Sequence, residues 1–275
     1  MSVKKEANGR HFIDFEVELP GTPEEIWQAL ATGPGISAWF VPTTFEEVDG
    51  KPVAAKLDFG GGMVFRHDVK VWNAPTLFVR EGPGWVPGSP PIAAEFHIEA
   101  RAGGVCVVRV VQSLFASTDD WDAQLIGSEE GWPEIIRILR LYLAHFRGQR
   151  SAIAKIMSPV SGTAAEAWTT LTTALGLDRV REGDRWTAPA GGPALGGVVE
   201  YTSDAPFGAL VRLDTPGPGI CALGTIAFGD TVMAGLTFYW YGDAATATVE
   251  RVTPQWDAWM QQRFPQPSGS GPTGA

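Results

Sequence analysis

Cysteine is scarce in this 275-residue chain, with only Cys106 and Cys221, and histidine and tyrosine number four each. The two cysteines lie far apart, each inside an apolar, strand-like run. That excludes a disulfide-stapled scaffold and fits two small buried hydrophobes in a reducing compartment. Cys and His nowhere cluster at metal-ligand spacing, so no metal and no cofactor is expected. Basic charge is short as well, 21 Lys and Arg against 31 Asp and Glu for a net charge of -10, and Lys4-Lys5 is the only basic run. A phosphate-binding surface gains affinity by releasing counterions through Lys and Arg, so the balance argues against nucleic acid or an anionic membrane as partner.

Further absences narrow the chemistry. There is no Gly-x-Ser-x-Gly elbow, neither cysteine has a histidine beside it, and Gly60-Gly61-Gly62 stands between strands, not in a strand–turn–helix setting. Met1 to Arg10 is polar without an apolar run, so no signal peptide is read and a cytoplasmic location is expected. Gly219 to Gly242 carries one charge, Asp230, and is long enough to span a bilayer. However, Gly229-Asp230 interrupts it between runs rich in Thr, Ile, Val, Phe, Tyr and Trp, which predicts a β-hairpin and no membrane insertion.

What is plentiful is large aromatic surface, 11 Trp and 14 Phe, which must be buried or line a pocket. The length suits two domains. An internal repeat points the same way. Gly21-Thr22-Pro23-Glu24-Glu25-Ile26-Trp27-Gln28-Ala29-Leu30 aligns with Gly162-Thr163-Ala164-Ala165-Glu166-Ala167-Trp168-Thr169-Thr170-Leu171. Thr22 and Thr163 are N-caps, and Glu25 and Glu166 complete capping boxes. Pro23 suits a first helical position, and Trp27/Leu30 and Trp168/Leu171 fall on one helical face.

Downstream of the first start, a Gly-Pro-Gly break leads to a short helix ending near Trp39-Phe40. Strands are expected at Thr43–Val48, Val53–Phe59, Met63–Trp72, Thr76–Arg80, Ile92–Ala100 and Val105–Phe115, and a closing helix at about Ser128–Arg147. The second half repeats the plan in shorter form. A strand near Ala152–Met157 precedes a helix at Ala164–Leu175. Strands follow around Arg185–Thr187, Val198–Thr202, Ala209–Leu213, Ile220–Phe228 and Thr231–Tyr241, and Thr253-Pro254 opens a last helix. The second short helix and part of the sheet are expected to be missing. Domains are placed at residues 10–148 and 150–265, with flexible tails at 1–9 and 266–275.

Leu19-Pro20, the run Thr22 to Leu30, Trp39-Phe40, Pro75-x-Leu77-x-Val79, and Gly131-Trp132 with Leu139 and Leu143 together resemble the Activator of Hsp90 ATPase homologue 1-like (AHSA1-like) family. That family lies within the SRPBCC, START or Bet v 1-like superfamily. The resemblance covers about residues 10–147. Residues 150–265 share only the helix start and the order of elements, as a shortened second copy in tandem. It implies an α+β fold of two helix-grip domains, each a curved antiparallel sheet around a long C-terminal helix, and a cavity between sheet and helix often used for hydrophobic ligands. Hsp90 is not expected as a partner: stimulation by the eukaryotic cochaperone depends strongly on a separate N-terminal domain, which nothing here resembles. The superfamily hosts carriers, cyclases, hydrolases and regulators, so activity does not follow from fold.

Strand alternation assigns the inward side chains. From Met63–Trp72 these are Met63, Phe65, His67, Val69 and Val71, with Val64, Arg66, Asp68, Lys70 and Trp72 outward. From Ile92–Ala100 they are Ile92, Ala94, Phe96 and Ile98, leaving Glu95, His97 and Glu99 in solvent. From the next strand they are Cys106, Val108, Val110, Gln112 and Leu114, with Arg109 outward. Leu57 and Phe59 join them, Trp132, Ile135, Ile136 and Leu139 close the space from the helix, and Trp39 and Phe40 line its mouth. Such a wall, apolar with polar points at His67 and Gln112, suits a small hydrophobic or aromatic ligand bound without catalysis; the plainer reading is that these residues fill the core. Alternatives are an enzyme resembling the tandem polyketide aromatase/cyclases, in which His67 and Gln112 move protons, or an interaction protein with a vestigial cavity. His11, His97 and His145 read as surface residues. Asp119-Asp120-Asp122 reads as a solvated loop, with Glu129-Glu130 favouring the helix N-terminus beyond it.

Overall fold

The computed structural model describes residues 3–84, 88–204, 207–228 and 231–265. The chain divides into two compact units, Met1–Gly148 and Gln149–Ala275. Each is an α+β helix-grip unit built on one antiparallel sheet.

In the first unit the elements are β1 (Lys4–Lys5), β2 (Arg10–Pro20), α1 (Pro23–Ala31), α2 (Gly33–Ser37), β3 (Thr43–Val48), β4 (Lys51–Asp58), β5 (Val64–Asn73), β6 (Leu77–Gly82), β7 (Ile92–Arg101), β8 (Val105–Phe115) and α3 (Asp122–His145). The eight strands lie in the order β1-β2-β8-β7-β6-β5-β4-β3. The first long strand therefore sits beside the last, and α1–α2 carry the chain to the far edge, where β3 starts a run of antiparallel neighbours. Lys4–Lys5, expected in a flexible tail, pair with Phe12 and His11 instead. Ion pairs from Lys4 to Asp14 and from Lys5 to Asp122 hold them there.

The second unit runs β9 (Ser151–Val160), α4 (Ala164–Leu175), β10 (Arg185–Thr187), β11 (Gly196–Asp204), β12 (Phe207–Thr215), β13 (Gly219–Phe228), β14 (Thr231–Tyr241) and α5 (Ala245–Arg263), in the sheet order β10-β11-β12-β13-β14-β9. The plan is that of the first unit: opening strand beside closing strand, one helix between opening strand and far edge, a closing helix last. Among the described residues it lacks a counterpart of α2, of β1 and of one strand at the far edge. Gly219 to Gly242 is a hairpin, with Ile226 opposite Met233. The Gly229-Asp230 turn expected at its tip, like the tail at 266–275, lies outside the described residues. Among those described, no helix is long and apolar enough to cross a membrane.

Both capping boxes form. The Thr22 hydroxyl accepts from the Glu25 amide at 3.4 Å and the Glu25 carboxylate accepts from the Thr22 amide at 2.9 Å. The same pair at Thr163 and Glu166 measures 3.2 and 2.8 Å. The two closing helices begin earlier than the sequence suggests. α3 starts at Asp122 and not near Ser128, because fully buried Leu125 extends its apolar stripe by a turn. α5 starts at Ala245 and not at Thr253, because Ala245, Thr248 and Val252 continue the stripe of Trp256 and Trp259. Pro254 is thus interior to a helix. It leaves the carbonyl of residue 250 without its amide partner, and that residue is solvent-exposed, so water can satisfy it.

Candidate functional site

The concave face of the first sheet is read by register. Ile13, Gln112, Ala94 and Arg80 lie opposite one another across β2, β8, β7 and β6, and Arg80 faces Val69 of β5. One level along, Phe15, Val110, Phe96 and Phe78 form the next row. The assignments from β7 and β8 hold: Ile92, Ala94, Phe96, Ile98, Cys106, Val108, Val110, Gln112 and Leu114 are all buried, and Arg109 is exposed.

β5 needs a correction. Its pairing with β6 shifts between Val69 and Val71, making Lys70 an extra residue. A bulge of this kind reverses the alternation beyond it. Phe65, His67 and Val69 face inward as expected, but Val71 is 36% exposed and Trp72 turns in. Met63, 56% exposed, precedes the strand. Trp72 then packs edge-on against Trp27, Phe45 and Phe78 at centroid distances of 5.2, 5.5 and 5.4 Å. Phe45 on β3 approaches Phe78 on β6 to 6.1 Å, although three strand spacings on a flat sheet come to roughly 14 Å. The sheet is therefore strongly curled, and this end of its concave face is filled by rings.

The other end is polar. His67 is wholly buried, its ring lying over Gly82, where an added Cβ would come within 2.3 Å of it. Arg80, 6% exposed, lies 2.7 Å from the imidazole, Nη1 to Nδ1. A guanidinium can only donate, so Nδ1 is the acceptor and the ring proton sits on Nε2. Burial and the neighbouring Arg80 charge push the His67 pKa down to about 3, against the opposing pull of the Pro83 carbonyl. Burial lowers Arg80 to about 10, so at neutral pH the arginine is charged and the histidine is not. In this arrangement the imidazole's one lone pair is engaged by Arg80. Two strands from Arg80, the Gln112 amide oxygen accepts from the Trp132 indole of α3 at 2.9 Å, which fixes sheet to helix. Trp132 also packs against Phe15 and Phe96 at 5.6 and 6.2 Å.

The remaining sequence-derived wall residues divide. Leu57, Val108, Val110, Ile136 and Leu139 are buried with Phe96 and Trp132, and Ile135 is half-buried. Phe40, Phe59 and Phe65 are half-buried and touch in series, Phe40–Phe59 and Phe59–Phe65 each at 5.6 Å edge-on. Trp39, expected at the mouth, is buried, and its indole donates to the Ala29 carbonyl at 2.9 Å, pinning α2 to α1. Arg80 was missed by the sequence reading. Its signal is plain in retrospect: it shares a strand face with Phe78, and a charge on an inward face stands out.

His11 is not a surface residue. It is buried on the concave side, with Nδ1 2.7 Å from Asp122 at the start of α3. Asp122 is not simply solvated: burial acts to raise its carboxyl pKa, but hydrogen bonds from Lys5 and His11 outweigh that and hold it below the usual range. His11, Asp119 and Asp122 are close enough to share a cation, but Lys5 reaches Asp119 and Asp122 at 2.8 Å each and supplies the positive charge itself. His145 is exposed, and His97, half-buried, lies 3.3 Å from Glu95. Both cysteines are free and buried, with Cys106 donating to the Gly21 carbonyl. In the second unit an open groove of ≈ 290 Å³ lies between the Gly191–Gly192–Pro193 loop and Gln255, Ala258, Trp259 and Gln262 of α5.

No model of a known protein family matches the chain, and no curated protein matches it in sequence. Solved structures do resemble it. The di-domain ARO/CYC BexL from the BE-7585A biosynthetic pathway aligns over 93% of this chain and 99% of its own, at 10% identity and a TM-score of 0.43. Protein MLL2253 of Mesorhizobium loti aligns over 49% of this chain and 98% of its own, at 19% identity and 0.43. Aha1 of Colwellia psychrerythraea aligns over 50% of this chain and 98% of its own, at 21% identity and 0.38. These likenesses concern the path of the chain and transfer no residue roles.

Proposed function

We propose that the first unit binds a small, mostly apolar molecule between its concave sheet face and α3, without catalysing a reaction. The observation that carries this reading is the pair of buried polar contacts, Arg80–His67 and Gln112–Trp132, on a face that is otherwise aliphatic and aromatic. Packing alone does not call for such groups, since buried polar atoms add desolvation cost that an apolar core avoids. A lipophilic wall with a few fixed polar points is the usual make-up of a small-molecule site. The half-buried series Phe40, Phe59 and Phe65 leads along β5 towards His67 and serves as the mouth.

The test is binding of a neutral lipophilic dye such as Nile red to the purified full chain, together with native mass spectrometry for a co-purifying lipophilic mass. Saturable 1:1 binding is expected, and Ala94→Phe, which fills the row between Arg80 and Gln112, should weaken it at least ten-fold. Absence of both dye binding and a co-purifying mass would remove the proposal.

A further inference from the structure

We propose that Arg80 is the receptor for an anionic head group, so that the ligand of the first unit is an apolar organic acid whose carboxylate lies against Arg80 with His67 beside it. The inference rests on the small-molecule reading above and specifies the ligand's chemistry. Its basis is a contrast in where charge is compensated. Arg10, Arg66, Arg101, Arg109 and Arg147 of the same unit hold carboxylate partners, from Glu95, from Glu46 and Asp68, from Glu99, from Asp14 and from Glu25, and exposed Arg140 donates to the Glu18 carbonyl. Each of these arginines has access to water, which would solvate it without a partner. Arg80, the deeply buried one, has no carboxylate within 4 Å among the described residues. Its hydrogen bond goes to a neutral ring and leaves the charge uncompensated.

Fold stability would favour the opposite arrangement, since an unpaired interior cation is costly and an apolar residue of similar length would relieve the cost. A guanidinium presents a planar fork of donors that matches the two oxygens of a carboxylate. The flanking side chains are short and apolar. In register, Arg80 has Val69 on one side and Ala94 on the other, with a small Ala94 side chain between it and Gln112. A ligand lying along this row would have its acid at Arg80 and its apolar body against Phe96 and the α3 face.

The experiment pairs acids with their isosteric alcohols on the full chain at pH 7.5, by calorimetry: 2-naphthoate against 2-naphthalenemethanol, and dodecanoate against dodecanol. Each acid is expected to bind at least ten-fold more tightly than its alcohol. Arg80→Met should erase that preference while leaving the melting temperature unchanged or higher, and Arg80→Lys should keep part of it. Equal affinity of acid and alcohol for the natural protein, or an acid preference that survives Arg80→Met, would overturn the assignment while leaving a neutral-ligand chamber standing. Failure of all four probes to bind would take down the chamber and the anion subsite together.

Discussion

At the level of single residues, the concave face shows how a strand pattern reports direction but not consequence. Alternation put His67 and Gln112 inside, and they are buried there. It also sets Arg80 on the face of Phe78, but it could not supply the role of Arg80, which depends on a neighbour thirteen positions back that only the β5–β6 register brings within 2.7 Å. Nor could it anticipate His11, because Asp122 lies 111 residues away in sequence. The His67 environment has a measurable effect on stability. Its folded pKa of about 3 lies below the ordinary 6.5 of an unfolded histidine. The unfolded chain therefore takes up a proton first as pH falls, and the contribution, complete above 6.5, is lost progressively down to about 3. Between pH 6.5 and 4.5 the first unit should lose about 2–3 kcal/mol from this group. Urea denaturation of His67→Gln, whose amide oxygen can still accept from Arg80, should show a visibly flatter dependence over that window. An unchanged slope would mean that the ring is protonated in the folded state.

Among the elements, those written by local chemistry were the easiest to foresee. α4 is found at Ala164–Leu175, as expected, and both capping boxes form because a threonine and a glutamate three residues on need no distant partner. Thr22→Ala and Thr163→Ala should each destabilise their own unit by about 1 kcal/mol, read as a shift in the urea midpoint of that unit alone. A loss spread equally over both units would contradict the local account. Elements decided by tertiary packing were misread at their ends. The first turns of α3 and α5 hold because Leu125 and Ala245 find a core to enter, and no cap announces either start. The Lys70 bulge was invisible for the same reason: nothing in the run Val69–Lys70–Val71–Trp72 says that Trp72 is wanted beside Trp27 and Phe45.

For the whole molecule, the repeat made the two-unit plan legible, because a shared helix start and strand order survive where other residues have changed. The second unit keeps that plan with a shorter connection between α4 and the far edge of its sheet. Fragments 1–148 and 149–275, expressed separately, should each give dispersed amide spectra and a cooperative melt, since each closes its own sheet. A collapsed, poorly dispersed spectrum from either would show that it depends on the other. The strand order also bears on synthesis. β2 pairs with β8, Ile13 opposite Gln112, and β9 pairs with β14, Ile156 opposite Leu236. Nascent β2 thus leaves the ribosome with one edge open until β8 arrives, and nascent β9 with no strand to pair with until β14 arrives. Each half is sealed in one late event, and the interval before it is when a chaperone or a stray neighbour has something to grasp.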